Sequence, residues 1–436
     1  MKPVKVGLLG LGTVGGGTIN VLKRNAGEIT RRAGRDIQIC KASARNLAQP
    51  RICDTHGITL TTDPFEVVND PSLDIIVELI GGFSPARELV LKALENGKHV
   101  VTANKALIAL HGNEIFAKAH QHGRMVAFEA AVAGGIPIIK TLREGLSGNR
   151  VEWLAGIING TSNFILTEMR DKGRSFADVL KEAQALGYAE ADPTFDVEGV
   201  DAAHKLTILA SIAFGIPLQF SRVYTEGISD IAPEDVSYAE ALGYRIKLLG
   251  IARRVAKGIE LRVHPTLIPA KRLIANVDGV MNAILVKGDA VGPTLSYGAG
   301  AGAEPTASSV VADLVDVTRA LTSDPENRVP HLAFQPDAIS DIPVLPIDDT
   351  ETAYYLRLSA EDKPGVLADV TRILANHNIS IEAIIQKEPL EGASNLPVIL
   401  LTHKVLEREL NAAIAQIAAL PTVSAPVKRI RMETLK

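Results

Sequence analysis

Residues 4–15 read VKVGLLGLGTVG, an apolar run that breaks into Gly10-x-Gly12-x-x-Gly15 and then into a helical pattern. Few chain beginnings restrict a fold more. Gly10 permits a tight turn, Gly12 lets the backbone approach a pyrophosphate, and Gly15 lets helix and strand pack closely. The first amides of the helix then face the phosphates. Taken alone, the motif also describes a glycine turn without a ligand; its setting favours the dinucleotide. Up to residue 130 the chain alternates apolar runs (VKVGLLG, DIQICKAS, DIIVELIG, HVVTAN, RMVAFEA) with helical patterns (VGGGTINVLKRN, PARELVLKALENG, KALIALHGNEIFAKAHQHG). Near-continuous apolar strands separated by amphipathic helices predict a parallel sheet covered on both faces. The expected fold class is α/β, with a Rossmann-type domain over residues 1–130 that holds a dinucleotide at Gly10, Leu11, Gly12, Thr13, Val14 and Gly15.

An acid at the end of the second strand would bind a ribose 2′-hydroxyl and signal NAD. That segment here is CKASARN, with no acid and with Lys41 and Arg45 available. Arg45 is either a 2′-phosphate contact or a solvated turn residue. The lean is to NADP, with use of NAD left open.

From 131 to 305 the texture changes. NRVEWLAGIING, FSRVYTEGI, RRVAKGIELRVHPTLIP and VMNAILVKG suggest a mixed or antiparallel sheet with helices, a catalytic and dimerisation domain in an α+β arrangement. GAEPTASSVVADLVDVTRALTS returns as a helix, at about 305–325, that packs on the first domain. Residues 327–352 hold four prolines and no helical period, which reads as a linker. Residues 353–436 then run strand, helix, strand, strand, helix, strand, a ferredoxin-like βαββαβ order.

The totals narrow the partners. A length of 436 residues suits two or three domains. A net charge of −4, with Lys and Arg dispersed, leaves no basic footprint for nucleic acid. The two cysteines, Cys40 and Cys53, stand in no metal-ligand spacing and fit a reducing compartment. The opening MKPVKVGLLG has an apolar run broken by glycines and no cleavage-site pattern, so it reads as a strand and not a signal peptide. No run reaches the roughly 18 apolar residues of a membrane span. The expectation is a cytoplasmic protein with no membrane partner.

The most unusual stretch is EADPTFDVEGVDAAHKLTILA, residues 190–210, with five carboxylates in twelve residues before a lysine and an apolar run. On a helix Asp201 and Lys205 lie one turn apart on one face, and Ile208 and Ile212 continue the stripe. An ordinary i,i+4 surface pair is the plain reading. The apolar continuation favours a pair at least partly desolvated and facing a cleft. Asp192 and Asp196 are caps, turn residues or site residues with equal claim, and His204 is read as a structural hydrogen-bonding group.

Extended to AQALGYAEADPTFDVEGVDAAHK (183–205), this segment closely resembles the signature of homoserine dehydrogenases; GIINGTSNFILTEM (156–169) and EAAVAGGIPIIKTLREG (129–145) resemble segments of the same family. The resemblance covers the whole chain, since many bacterial members carry a C-terminal ACT domain. It implies the reversible reduction of L-aspartate 4-semialdehyde to L-homoserine with NAD(P)H, in the making of threonine, methionine and isoleucine. Hydride transfer to an aldehyde carbon develops an oxyanion that needs a proton. The resemblance assigns that acid/base task to Lys205 and places Lys105 near nicotinamide and substrate. It makes Glu190 and Asp201 substrate contacts, with Gly187 lending backbone groups, and has Gly302 close over the cofactor. It implies a monovalent cation such as sodium on Glu129 and the carbonyls of Val132, Gly134 and Ile136. In the ACT unit it points to the loop of Asp362 and Gly365 as a site for an amino-acid effector, L-threonine, in a homodimer or homotetramer; a purely structural role in dimerisation stays open.

Two other readings stand beside it. A phosphorylating semialdehyde dehydrogenase needs a thiolate, and both cysteines lie in the nucleotide-binding half, misplaced for that task. A non-enzymatic amino-acid sensor on a Rossmann scaffold would have no use for the signature through Lys205.

Overall fold

The structure, a computed structural model, describes residues 2–325, 328–386, 395–424 and 426–436; residue 327, the first of the proline-rich stretch, and residues 387–394 lie outside them. The chain groups into two compact units. One comprises Met1–Gly160, Val200–Val223 and Val280–Ile342, the other Thr161–Gly199, Tyr224–Gly279 and Pro343–Lys436.

The first unit is built on six parallel strands: β1 (Val4–Leu9), β2 (Ile37–Ser43), β3 (Thr59–Thr61), β4 (Ile75–Glu78), β5 (His99–Thr102) and β6 (Val126–Ala127). Their order is β3-β2-β1-β4-β5-β6, the doubly wound arrangement expected. Val6, Leu8, Ile75 and Val77 are wholly buried. Strands covered on both faces have no polar side to present, which is why they read as continuous apolar runs. The strand order reverses between β1 and β4, and the crevice at their carboxyl ends is where such sheets take ligands. Gly10 sits there at φ +99°, and a Cβ on it would come within 2.6 Å of the Leu79 carbonyl oxygen that follows β4. Helix Ala303–Ala320 packs on helix Thr13–Arg24, with a Cβ on Gly17 falling 2.5 Å from the Ala303 carbonyl oxygen. Strands Val151–Ile157, Met281–Gly288 and Gly292–Ala299 form an antiparallel layer of the same unit.

The second unit holds a long antiparallel hairpin, Tyr244–Val255 with Gly258–Pro269. The C-terminal module has strands Lys428–Met432, Glu351–Glu361, Asn395–Thr402 and Ile381–Gln386 side by side in that order, all antiparallel. Helices Val366–Asn376 and Glu407–Ala418 pack on one core with Tyr354, Leu356 and Leu400. This is the βαββαβ unit read from the sequence.

Several expectations change. The three-residue β3 is too short to register as a run, and helix Ala26–Ala33 follows the first helix as a separate piece. Of FSRVYTEGI only Tyr224–Thr225 pairs as a strand, because its apolar positions do not alternate. The proline-rich stretch is irregular yet anchored. His331 is stacked on Phe116, its Nε2 accepts the Val126 amide at 3.1 Å, and Val344 bridges to Ile259. Among the described residues no helix is long and apolar enough to cross a membrane.

Candidate active site

Three backbone ends of the first unit converge on one carboxylate. Helix Val200–Phe214 carries Asp201 in its first turn and Lys205 one turn later; helix Lys105–Gln121 begins with Lys105; strand Val151–Ile157 runs into Ile158 and Asn159. Asp201 Oδ2 accepts from Lys205 Nζ at 2.6 Å and from Asn159 Nδ2 at 2.8 Å, while Oδ1 faces Lys105 Nζ at 2.8 Å. Lys205 Nζ also donates to the Ile158 carbonyl oxygen at 2.7 Å. The Asp201 side chain is 3% exposed, that of Lys205 10% and that of Lys105 35%.

The desolvated pair expected from the stripe is therefore present, though burial is not confined to one stripe. Every residue from Asp201 to Phe214 is buried. A helix apolar on all sides is a core helix, and only its first turns meet the site. Burial alone would raise the Asp201 carboxyl; the Lys205 and Lys105 ammoniums outweigh it and hold the group well below the usual carboxylate range. Two cations share one anion, so the cluster of these three side chains keeps a net positive charge suited to an oxyanion. His204 is stacked on Phe220, ring centroids 4.3 Å apart, and burial lowers it to about 4, which keeps it neutral.

The glycine turn fits a dinucleotide. Gly12 caps helix Thr13–Arg24, which has neither a side-chain cap nor an acid in its first turn, and nothing lies within 4 Å of where a Cβ on Gly12 would be. The helix amides are thus open to an anion. At Gly15 a Cβ would fall 2.1 Å from the Gly10 carbonyl oxygen, so only glycine closes the turn. Gly302 caps helix Ala303–Ala320 at φ +123°. Arg45 is exposed just past β2. Lys41, which seemed equally available, is drawn to Glu66 and Asp70. Arg51, unremarkable in the sequence, donates to the Leu11 carbonyl oxygen at 3.0 Å and to that of Asn46, tying the turn to the segment after β2.

Glu129 opens the bend to Ile136. Its carboxylate accepts the amides of Ile139 (2.8 Å) and Lys140 (2.9 Å), and its own amide donates to Asp313. Burial, then the nearby Asp313, raise its carboxyl to about 7. Gly134, at φ +38°, has its carbonyl oxygen 2.6 Å from Ser309 Oγ. Among the described residues no group of three or more His, Cys, Asp or Glu side chains could hold a metal ion. A site at this bend would rest on one carboxylate and backbone oxygens.

Gly187 (φ +75°) and Glu190 fall in the second unit, on the exposed turn after helix Phe176–Ala185; the Glu190 carbonyl oxygen accepts from Gln184. Asp192 accepts the Thr194 amide as a turn residue, and the Asp196 carbonyl oxygen accepts from Ser162. Asp362 and Gly365 (φ +94°) lie exposed at the start of helix Val366–Asn376, with nothing within 4 Å of a Cβ on Gly365.

Comparison with known proteins gives this geometry its context. A family model described as homoserine dehydrogenase matches residues 137–315, one described as homoserine dehydrogenase, NAD binding domain, matches 10–129, and one for the ACT domain matches 354–422. A homoserine dehydrogenase of Pseudomonas aeruginosa is 70% identical over all of both chains, and that of Neisseria gonorrhoeae 58%. The chain belongs to the homoserine dehydrogenase family. A crystal structure of a member from Thiobacillus denitrificans superposes with a TM-score of 0.95 at 70% identity, covering 100% of this chain and 99% of that one. A hyperthermophilic archaeal homoserine dehydrogenase in complex with NADPH has a TM-score of 0.62 at 25% identity over 73% of this chain and 98% of that one. Members are NAD(P)-dependent oxidoreductases, and a nicotinamide cofactor belongs to the NAD-binding domain.

Sequence reasoning missed Asn159 and the Ile158 carbonyl, which reach Asp201 and Lys205 through space; the family-like segment GIING was the only signal. Removing the Asp201 charge should be costly, because it leaves two ammoniums facing each other. Asp201→Asn is expected to lower unfolding free energy by about 3–5 kcal/mol in urea titration, with partial recovery when Lys205→Met is added. Unchanged stability of the single variant would contradict this reading of the cluster.

Proposed function

We propose that this chain reduces L-aspartate 4-semialdehyde to L-homoserine, reversibly, with NADPH preferred over NADH, on the way to threonine, methionine and isoleucine. The observation that carries the mechanism is the sharing of Asp201 by Lys105 and Lys205. The bound nicotinamide supplies the hydride. As charge grows on the aldehyde oxygen, Lys205 gives it a proton; in the reverse direction the amine accepts one. Asp201, Asn159 and the Ile158 carbonyl keep the Lys205 ammonium oriented, and a preset donor costs no reorganisation at the moment of transfer. Lys105, the more exposed of the two lysines, adds positive charge beside substrate and nicotinamide. Asp201 binds the substrate ammonium. Gly10 to Gly15 hold the pyrophosphate, Gly302 covers the cofactor, and Arg45 meets a 2′-phosphate. The archaeal relative solved with NADPH supports that preference.

The ACT loop of Asp362 and Gly365 takes an amino acid, which we assign as L-threonine acting by feedback across a homodimer or homotetramer in the cytoplasm. The exposed left-handed glycine and the open helix start fit a small zwitterion. One kinetic series tests the whole reading. NADPH absorbance should fall with aspartate semialdehyde present, faster than NADH at equal concentration, and threonine should slow it. Gly365→Asp should keep the activity and lose the inhibition. No oxidation, with threonine still bound, would turn the reading toward a sensor; inhibition unchanged in Gly365→Asp would remove the effector site.

A monovalent cation such as sodium is held by Glu129 with the carbonyls of Val132, Gly134 and Ile136. A buried carboxyl raised to about 7 is a group that a cation would relieve. The sign follows. With its folded value above 4.5, this carboxyl favours folding at low pH, and that contribution is lost as pH rises through about 7. A bound cation competes with the proton, so sodium should raise the melting temperature at about pH 8.5, relative to tetramethylammonium at equal ionic strength, and not at about pH 5.5. Glu129→Gln should abolish the difference. Equal melting in both salts at the higher pH would contradict the site.

A further inference from the structure

Glu78, Thr102 and Asn104 lie at the carboxyl ends of β4 and β5, immediately before Lys105, and form a continuous chain of hydrogen bonds. The Glu78 side chain is wholly buried. Its Oε1 accepts the amides of Ile80 (2.8 Å) and Gly81 (3.1 Å), and its Oε2 accepts the Thr102 hydroxyl (2.7 Å). The same hydroxyl oxygen accepts the Asn104 amide at 3.0 Å. Asn104 then does two things at once. Its Oδ1 caps the Lys105 helix by accepting the Leu107 amide (3.1 Å), and its Nδ2 donates to the Gly82 carbonyl oxygen (2.7 Å).

Each residue type is matched to its place. A buried carboxylate is expensive unless its oxygens are filled, and here two backbone amides and a hydroxyl fill them. A serine, threonine or aspartate could cap the helix, but an amide side chain carries a capping oxygen and a separate donor nitrogen, which here reaches the Gly82 carbonyl while the oxygen caps. Gly81 and Gly82 both have left-handed φ, +80° and +70°, so the loop they form is held in shape from outside itself. The network thus fixes two things relative to each other: the loop leaving β4 at the switch point, and the first turn of the helix whose first residue is Lys105.

We propose that Glu78, Thr102 and Asn104 are positioning residues that set Lys105 and the Ile80–Gly82 loop for hydride transfer to the aldehyde. This rests on the reductase reading above. None of the three needs to touch substrate; they act through Lys105 and the loop. Displacement of a reacting group by about 1 Å can cost roughly a hundredfold in rate.

The test uses the full-length enzyme with Thr102→Val, which keeps shape and strand propensity but removes the hydroxyl, Asn104→Ser, which keeps a cap but loses the bond to Gly82, and Thr102→Ser as the conservative control. Wild-type turnover of aspartate semialdehyde tests the underlying reading by itself, and its absence would overturn that reading and this role together. Given turnover, kcat should fall about tenfold to a hundredfold in Thr102→Val and Asn104→Ser, while the NADPH dissociation constant from fluorescence titration moves by less than about threefold. Thr102→Ser should recover most of kcat. Amide exchange at Ile80 and Gly81 should quicken in Thr102→Val with the rest of the sheet unchanged. Wild-type kcat in both impaired variants, no recovery with serine, or a loss that only tracks the unfolded fraction would each overturn the network's role.

Discussion

A single buried carboxylate holds two lysines from separate helices, and the rest of the site is arranged around that fact. Asp201 stays ionised in the core only because Lys205 and Lys105 are both within 2.8 Å of it. Remove it and two ammoniums repel; remove either lysine and the anion loses half its compensation. The cost of burying these charges is met by polar bonds from Asn159 and Ile158, so the cluster is fixed in geometry before any ligand arrives. A proton donor that is already oriented is what reduction of an aldehyde requires of the protein, since the hydride comes from the cofactor.

That arrangement depends on the sheet. Parallel strands end their carboxyl termini on one edge, and the reversal of strand order between β1 and β4 opens a crevice there. The glycine turn leaves β1, the Ile80–Gly82 loop leaves β4, and Lys105 follows β5, so cofactor loop and candidate chemistry come from neighbouring strands of one rigid layer. Helix Ala303–Ala320 adds a late segment of chain to the same unit, packing its first residue against Gly17 and its Asp313 against the Glu129 amide.

Much of this was legible in the residues. Strands buried on both faces are largely apolar, so β1, β4 and β5 announced themselves, and the glycine spacing marked the turn. The i,i+4 relation of Asp201 and Lys205 is local and could be read from helical geometry alone. What remained hidden was contact through space. Locally Lys105 is an ordinary helix-start lysine, and only the family resemblance set it near the site before the fold brought it to Asp201; Asn159 had no signal beyond the family-like segment GIING. Glu78 and Thr102 stand within the runs DIIVELIG and HVVTAN with nothing to mark them, since nothing in a strand's period says which backbone amides a side chain will meet. Lys41 misled for the same reason: its partners Glu66 and Asp70 come from another segment.

The central claim is that the Lys205 amine delivers the proton. Its most direct test is turnover of a Lys205→Ala variant that still folds and still binds NADPH and substrate. The account predicts a fall in kcat of about a hundredfold to ten-thousandfold, the scale of a lost general acid. Turnover at the wild-type rate would contradict it.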